Sequence, residues 1–319
     1  MPALASSFRR LCSSIPSPWV GWLAALAAAL IGSGWQIASR HGVITTLGPV
    51  ELAVLRYAIP ALVLAPLWLR HSGWPAGLSR LRCALLVLCG GLPFGLVVLA
   101  GARWAPAAHM GIFVAGSLPV FTALGAWLVG GERLAPSRLL GLALIVAGMA
   151  VFGAAGWRTA DGAWRGDLLF LLAALLWSVY TLAFRASGLT PWQGAAVVNL
   201  GSALLLLPVL ALVGAPRLLS APWTDVAWQA LGQGVMAGLL GLVVYSVAIA
   251  RLGAARAALS AALVPLLTAA GGAWLLGEPV SGALLGAVLL VVPGLALASG
   301  ALVQPLRRQS ASGAGRERA

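Results

Sequence analysis

The sequence predicts an all-α integral membrane protein, with ten transmembrane helices in two inverted five-helix repeats. Three observations carry that prediction: too few charges to solvate a surface, ten successive apolar runs, and a motif that recurs at a constant offset. The chain of 319 residues is 61% hydrophobic and only 8% charged, with a mean hydropathy of +0.98. A soluble domain carries roughly 25% charged residues, so lipid has to be the outer solvent here.

Apolar runs between charged or Pro/Gly breaks fall near 19–38, 48–69, 83–102, 105–129 and 136–155, then near 166–186, 192–213, 226–250, 256–276 and 281–302. Each holds about 20 residues, enough to cross roughly 30 Å of hydrocarbon. Arg103 and Trp104 separate the third and fourth runs, and Arg251 to Arg256 join the eighth to the ninth, so both connections are tight. The organisation that follows is a polar lead (1–18), a first repeat (19–155), a periplasmic linker (156–165), a second repeat (166–302) and a basic tail (303–319). The first run reads as a retained span behind a cytoplasmic anchor carrying Arg9 and Arg10.

The net charge of +13 would suggest nucleic acid in a soluble chain, but here the charge sits in loops and no nucleic-acid partner is expected. All 20 basic residues are arginine. With the N-terminus inside, Arg9, Arg10, Arg70, Arg80, Arg82, Arg133, Arg138, Arg185, Arg251, Arg256 and the four tail arginines are cytoplasmic, 14 in all. Arg40, Arg103, Arg158, Arg165 and Arg217 are outside, and Arg56 lies within a span. Cytoplasmic loops collect arginine during insertion, so both termini are expected in the cytoplasm of a bacterial inner membrane. Cys12, Cys83 and Cys89 show no metal-ligand spacing and read as structural; no metal or cofactor is expected.

Pro119-Val-Phe-Thr122-Ala-Leu-Gly125, running on to Gly131-Glu132, is matched by Pro265-Leu-Leu-Thr268-Ala-Ala-Gly271, running on to Gly277-Glu278, at an offset of 146 residues. Ser33, Trp35 and Arg40 match Ser178, Tyr180 and Arg185 at an offset of 145. Chance apolar similarity does not hold one offset at both ends of a half. Five spans per half, an odd number, put the second half upside down relative to the first. That symmetry is typical of secondary transporters, with a midplane site at the repeat interface.

Gly32-Ser-Gly-Trp35, Pro49-Val-Glu51-Leu-Ala-Val-Leu-Arg56 and Pro119…Gly131-Glu132, with Gly166-Asp167, Trp177-Ser-Val-Tyr180, Pro265 and Gly277-Glu278 in the second half, resemble the drug/metabolite transporter superfamily, EamA type. The resemblance covers about residues 19–302. It implies two inverted five-helix repeats around a central cavity and carriage of amino acids, their derivatives, nucleobases or similar metabolites, commonly outward. Gly32 departs from the family, which often has Trp there; Trp177 keeps that residue in the second half.

Arg56 is the sharpest single signal. Eight residues into its span, it lies about 12 Å deep, where a charge costs about 2.5–3.5 kcal/mol and has to face the bundle interior or water. It is either a counter-charge for a substrate carboxylate, gripped by two parallel bonds, or a clamp on carbonyls near Pro60. Asn199 occupies the aligned region of the other half. Ser33, Trp35 and Gln36, Ser117, Trp177, Ser178 and Tyr180, Asn199, Gln233, Tyr245 and Ser260 are candidate cavity residues, with Trp35, Gln36, Trp177, Tyr180, Asn199 and Tyr245 joining Arg56 as the expected substrate contacts; helix packing is the alternative for each. Trp19, Trp68, Trp74, Trp157, Trp164 and Trp223 lie near span ends and read as interfacial belt.

Glu132 and Glu278 end equivalent helices on opposite faces; both read as structural helix-end residues, each holding a short turn against an arginine, with a gate or proton site as the other reading. Glu51 and Asp167 lie near outer ends, where a carboxylate complements a helix dipole. No carboxylate is expected at mid-membrane, which leaves His109 as the candidate proton site, being the residue type that titrates near neutral pH; a hydrogen-bonded structural histidine is the alternative, and facilitated export or exchange needs no such group. Pro119 and Pro265, related by the repeat, are hinge candidates or static kinks. Gly91…Gly95, Gly234…Gly238 and Gly282…Gly286 suit close helix approach, the last as a homodimer contact. A membrane enzyme would need His, Asp, Glu or Cys clustered at one depth, and a channel would need charged rings or a selectivity loop; neither pattern occurs. A carrier of small molecules is the reading that survives.

Overall fold

In the computed structural model, residues 17–70, 77–131, 134–157 and 162–301 are described. Those residues are helical, with no strand among them. Among the described residues, nine helices are long and apolar enough to cross a membrane, and one more, Gly282–Ala298, is apolar but shorter. In order they are α1 (Ser17–Ile44), α2 (Pro49–Arg70), α3 (Arg80–Gly90 then Leu92–Trp104), α4 (Ala107–Met110, Gly111–Ala115, Gly116–Gly130) and α5 (Pro136–Trp157). The second half follows with α6 (Ala163–Arg185), α7 (Pro191–Val213), α8 (Trp223–Gln229, Ala230–Leu240, Gly241–Leu252), α9 (Ala254–Leu276) and α10 (Gly282–Ala298). The first helix outruns the sequence expectation, which stopped before Arg40 and His41. Arg40 stays helical because protein groups, described below, satisfy its guanidinium.

Polar side chains start several of these helices. Ser79 caps α3 through Arg82 N–H and Ser281 caps α10 through Leu284 N–H. Thr190 and Gln193 form a reciprocal capping box at α7, with Pro191 at its first position, where a missing N–H costs nothing. Gly131 and Gly277, the repeat-related residues that end α4 and α9, take left-handed backbones with φ of 62° and 66°. A side chain is strained there, and the glycine lets Glu278 N–H close on the Gly272 carbonyl at 3.2 Å.

The two halves interlock. Helix α1 of the first half packs along α8 and α9 of the second, and α6 of the second packs along α3 and α4 of the first, while α5 lies against α10. Between α2 and α8 the approach is close: a Cβ built on Gly234 would sit 2.8 Å from the Leu55 carbonyl, and one on Gly238 would sit 3.3 Å from that of Arg56. Replacing Gly234 with Leu is therefore expected to push α8 off α2 and destabilise the detergent-solubilised protein by about 1–3 kcal/mol. A thermal unfolding midpoint, compared with that of Gly286→Leu, checks this, because nothing lies within 4 Å of a Cβ built at 286.

Backbone irregularities are satisfied by neighbouring helices. Helix α3 breaks at Gly91, ahead of Pro93. Tyr57 of α2 donates its hydroxyl to the Gly91 carbonyl at 2.7 Å, and Ser202 Oγ of α7 accepts from Leu92 N–H at 2.9 Å. Non-helical backbone at membrane depth survives only with such partners. In α4 the wide π-type turn over Gly111–Ala115 directly precedes Pro119, whose ring would otherwise press on the Ala115 carbonyl. Pro265 sits within an uninterrupted α9, so the two repeat-related prolines have different surroundings.

Candidate functional site

Where α1, α2 and α8 meet, Arg56 lays its guanidinium 4.4 Å over the ring centroid of Trp35 and 5.7 Å from that of Tyr57. Its Nε and Nη1 are buried with no hydrogen-bond partner among the described residues. A buried donor without a partner costs about 1–3 kcal/mol, more when charged, so this arrangement is poised for an acceptor. Trp35 is held in place by its indole N–H, which donates to Gln233 Oε1 at 2.8 Å; Gln233 in turn donates to Ser39 Oγ and Gln229 Oε1. Gln36, one residue on, accepts from Thr268 of α9 at 2.9 Å. That bond lies where Gly111 lets α4 approach α9, since a Cβ there would sit 3.1 Å from Pro265 Cα.

An aromatic ladder leads away from Arg56. Trp35 stacks on Phe94 at 6.3 Å, Phe94 meets Trp177 at 4.7 Å, Trp177 meets Tyr180 at 4.8 Å, and Tyr180 stacks on Phe184 at 5.9 Å. The ladder joins both halves, since Trp35 and Phe94 belong to the first and the other three to α6. Behind Trp35, a cavity of about 640 Å³ opens between α1, α8 and the end of α9, lined by Gly34, Trp35, His41, Gln229 and otherwise mostly apolar side chains.

At the end of the bundle where α1 finishes, three elements are tied together. Arg40 Nε meets Glu278 Oε1 at 3.2 Å, and Arg40 Nη1 donates to the Ala102 and Arg103 carbonyls at 2.6 and 3.2 Å. Both Glu278 carboxylate oxygens accept from Ala107 N–H, at 3.0 and 2.9 Å. One carboxylate thus joins α1, the start of α4 and the turn after α9. Glu51 accepts from Gly48 N–H at 3.1 Å and from Arg217 N–H at 3.4 Å, holding a neighbouring loop.

The model of the EamA-like transporter family matches residues 19–154 and again residues 164–300. The chain belongs to that family. It is a multi-pass membrane transporter built from two copies of one repeat. A Pseudomonas aeruginosa protein, itself uncharacterized, is 35% identical over 258 residues, which is 79% of this chain and 85% of that one. An uncharacterized transporter of Bacillus subtilis is 28% identical over 192 residues, or 56% of this chain and 59% of that one. A solved crystal structure aligns over 89% of this chain and 96% of its own, with a TM-score of 0.59 and 25% identity.

Within this EamA-like transporter the expected contact residues separate into two groups. Arg56, Trp35, Gln36, Trp177 and Tyr180 lie in or beside the network just described. Asn199 turns its amide back to the Ala195 carbonyl of its own helix at 2.8 Å, and Tyr245 is 37% exposed. Glu132 lies outside the described residues. Gln233 and Ser39 are fully buried at the centre of the network. Sequence reading named Gln233 only as one cavity candidate among many and passed over Phe94 and Ser39. Nothing in a one-dimensional pattern distinguishes Phe94 from other apolar residues of α3. The belt is plain at one end, where Trp157 stacks on Trp164 at 5.2 Å and Arg165 lies 4.8 Å over Trp104.

Proposed function

We propose that this protein is a secondary transporter exporting small polar metabolites, amino acids or their derivatives among them, across a bacterial inner membrane by alternating access. The observation that carries the reading is Arg56: a cation within a membrane helix, stacked on Trp35, with two buried donors open to an acceptor. A carboxylate is the acceptor chemistry that suits such donors, through charge-assisted bonds. The aromatic ladder supplies flat apolar walls for the rest of such a molecule, and Gln233 fixes the Trp35 end of it through the indole N–H.

The arginine distribution supports cytoplasmic termini, which makes the Arg40–Glu278 end periplasmic. Between the halves, α9 packs on Ala107–Ala115 of α4 near that end, and α6 packs along α3 and, towards the other end, on Gly116–Gly130 of α4. In this conformer the Glu278 junction ties α1, the start of α4 and the turn after α9 together at the Arg40 end.

The test compares extracellular metabolites from cells overproducing the protein with those from cells carrying an empty vector. A metabolite enriched outside only with the protein, saturable and stimulated by counter-substrate in vesicles, is the expected result. Large unitary currents would make it a channel, and turnover of a lipid-linked or peptide substrate by the purified protein would make it an enzyme. Either outcome overturns the proposal.

A further inference from the structure

His109 and Asp167, 58 residues apart in sequence, meet inside the bundle. Nδ1 of the imidazole lies 2.7 Å from Oδ1 of the carboxylate. Asp167 is 5% exposed and His109 is 9% exposed. The imidazole is packed by Phe152 of α5 at 4.3 Å and by Phe113 of its own helix at 6.3 Å. The other carboxylate oxygen, Oδ2, is buried with no hydrogen-bond partner among the described residues. Each residue lies within about two turns of its helix's outer end, roughly 10 Å or less from the interface.

Neutral histidine beside ionised aspartate leaves one net negative charge in this apolar enclosure, with one oxygen unsatisfied. A single added proton brings the pair to zero net charge. The nearby charged groups among the described residues are otherwise engaged: Glu278 holds Ala107 N–H, two residues before His109, and is paired with Arg40. Helix α5 presents Phe152 and Gly156, α4 presents Phe113, and α6 presents Asp167 itself; Arg165, two residues along, has turned to the Trp104 and Trp164 rings. The pair also bridges α4 and α6, and α4 two residues further on begins the wide turn at which it touches α9.

We propose that His109 and Asp167 form one proton-binding site, loaded from the periplasm and emptied to the cytoplasm, which couples export to proton entry. The coupling rests on the transport reading above; the proton site itself does not. Loading adds one proton to the pair and removes its net negative charge. Unloading returns that proton to the cytoplasmic side when the inner path opens.

The site is tested first without any substrate. Purified protein in lipid, with its aspartates isotopically labelled, is titrated by infrared difference spectroscopy between about pH 5 and 8. The sequence holds only three aspartates, Asp161, Asp167 and Asp225, so the label isolates the signal. A labelled carboxyl or carboxylate band that changes with pH, is lost in Asp167→Asn and shifts in His109→Gln, is the expected result. No such change in the unaltered protein would refute the site without reliance on any variant. The second arm measures efflux of whichever metabolite the expressing cells enrich in their medium, from vesicles under an imposed pH gradient. One proton exchanged per molecule makes each unit of gradient worth about tenfold in accumulation ratio. That dependence is expected to vanish in Asp167→Asn while counter-flow persists. Efflux indifferent to the gradient in the unaltered protein would overturn the coupling and leave the transporter standing; loss of all flux in Arg56→Ala alone would not touch the proton site.

Discussion

Arg56→Ala is expected to lower flux of a carboxylated substrate at least tenfold at matched membrane expression. A bidentate guanidinium–carboxylate contact involves two charge-assisted bonds, each contributing about 1.5–3 kcal/mol. Loss of one pair at about 1.4 kcal/mol already accounts for a factor of ten. The replacement also removes the cation stacked on Trp35, so part of the loss will come from a less ordered indole. Arg56→Lys separates the two effects: it keeps the positive charge but cannot present two parallel donors. If the carboxylate is gripped bidentately, Lys restores little, and the deficit appears as a higher half-saturation concentration. If Arg56 only clamps the protein, both variants lose thermal stability and a neutral substrate suffers as much as an acid. Undiminished flux in Arg56→Ala would remove this residue from the site.

The helical architecture was legible because lipid imposes it. Backbone groups in hydrocarbon must bond within their own helix, so apolar length alone locates a span, and the offset shared by Pro119/Pro265 and Gly131/Gly277 exposes the repeat. Arg56 was legible for the same reason, since a charge is anomalous in that setting. What stayed hidden depends on which faces meet. Asp167 reads as a helix-start acid from sequence, and His109 as a solitary titratable residue; only the packing of α4 on α6 brings them to 2.7 Å. Arg40 likewise reads as a loop arginine until the turn after α9 delivers Glu278 to it. Tyr57, adjacent to Arg56, gave no signal at all, because its role is to satisfy a carbonyl exposed by the break at Gly91. Side-chain pairs across interlocked halves leave no local periodicity to detect.

Glu278→Ala is expected to open the outer end of the bundle. The carboxylate holds Arg40 of α1 and the Ala107 amide of α4 at once, and the Arg40 and Glu278 side chains are only 17% and 9% exposed. Loss of such a partly buried, charge-assisted junction biases the conformational equilibrium by about 1–3 kcal/mol, or roughly 5- to 150-fold. A cysteine placed at Ala108, which is 4% exposed, in a background freed of native cysteines reports this as faster labelling by an impermeant maleimide added outside. Glu278→Gln should fall between, since its amide oxygen can still accept from Ala107 N–H while the charge that holds Arg40 is lost. The exchange of Arg40→Glu with Glu278→Arg is more telling. It restores opposite charges, but arginine has no acceptor for Ala107 N–H, so labelling should remain well above that of the unaltered protein. Full recovery in the exchanged pair would mean that charge alone closes the outer end and that the Ala107 contact is incidental. Labelling unchanged in all three variants would place the outer closure elsewhere, in the packing of α9 on Ala107–Ala115.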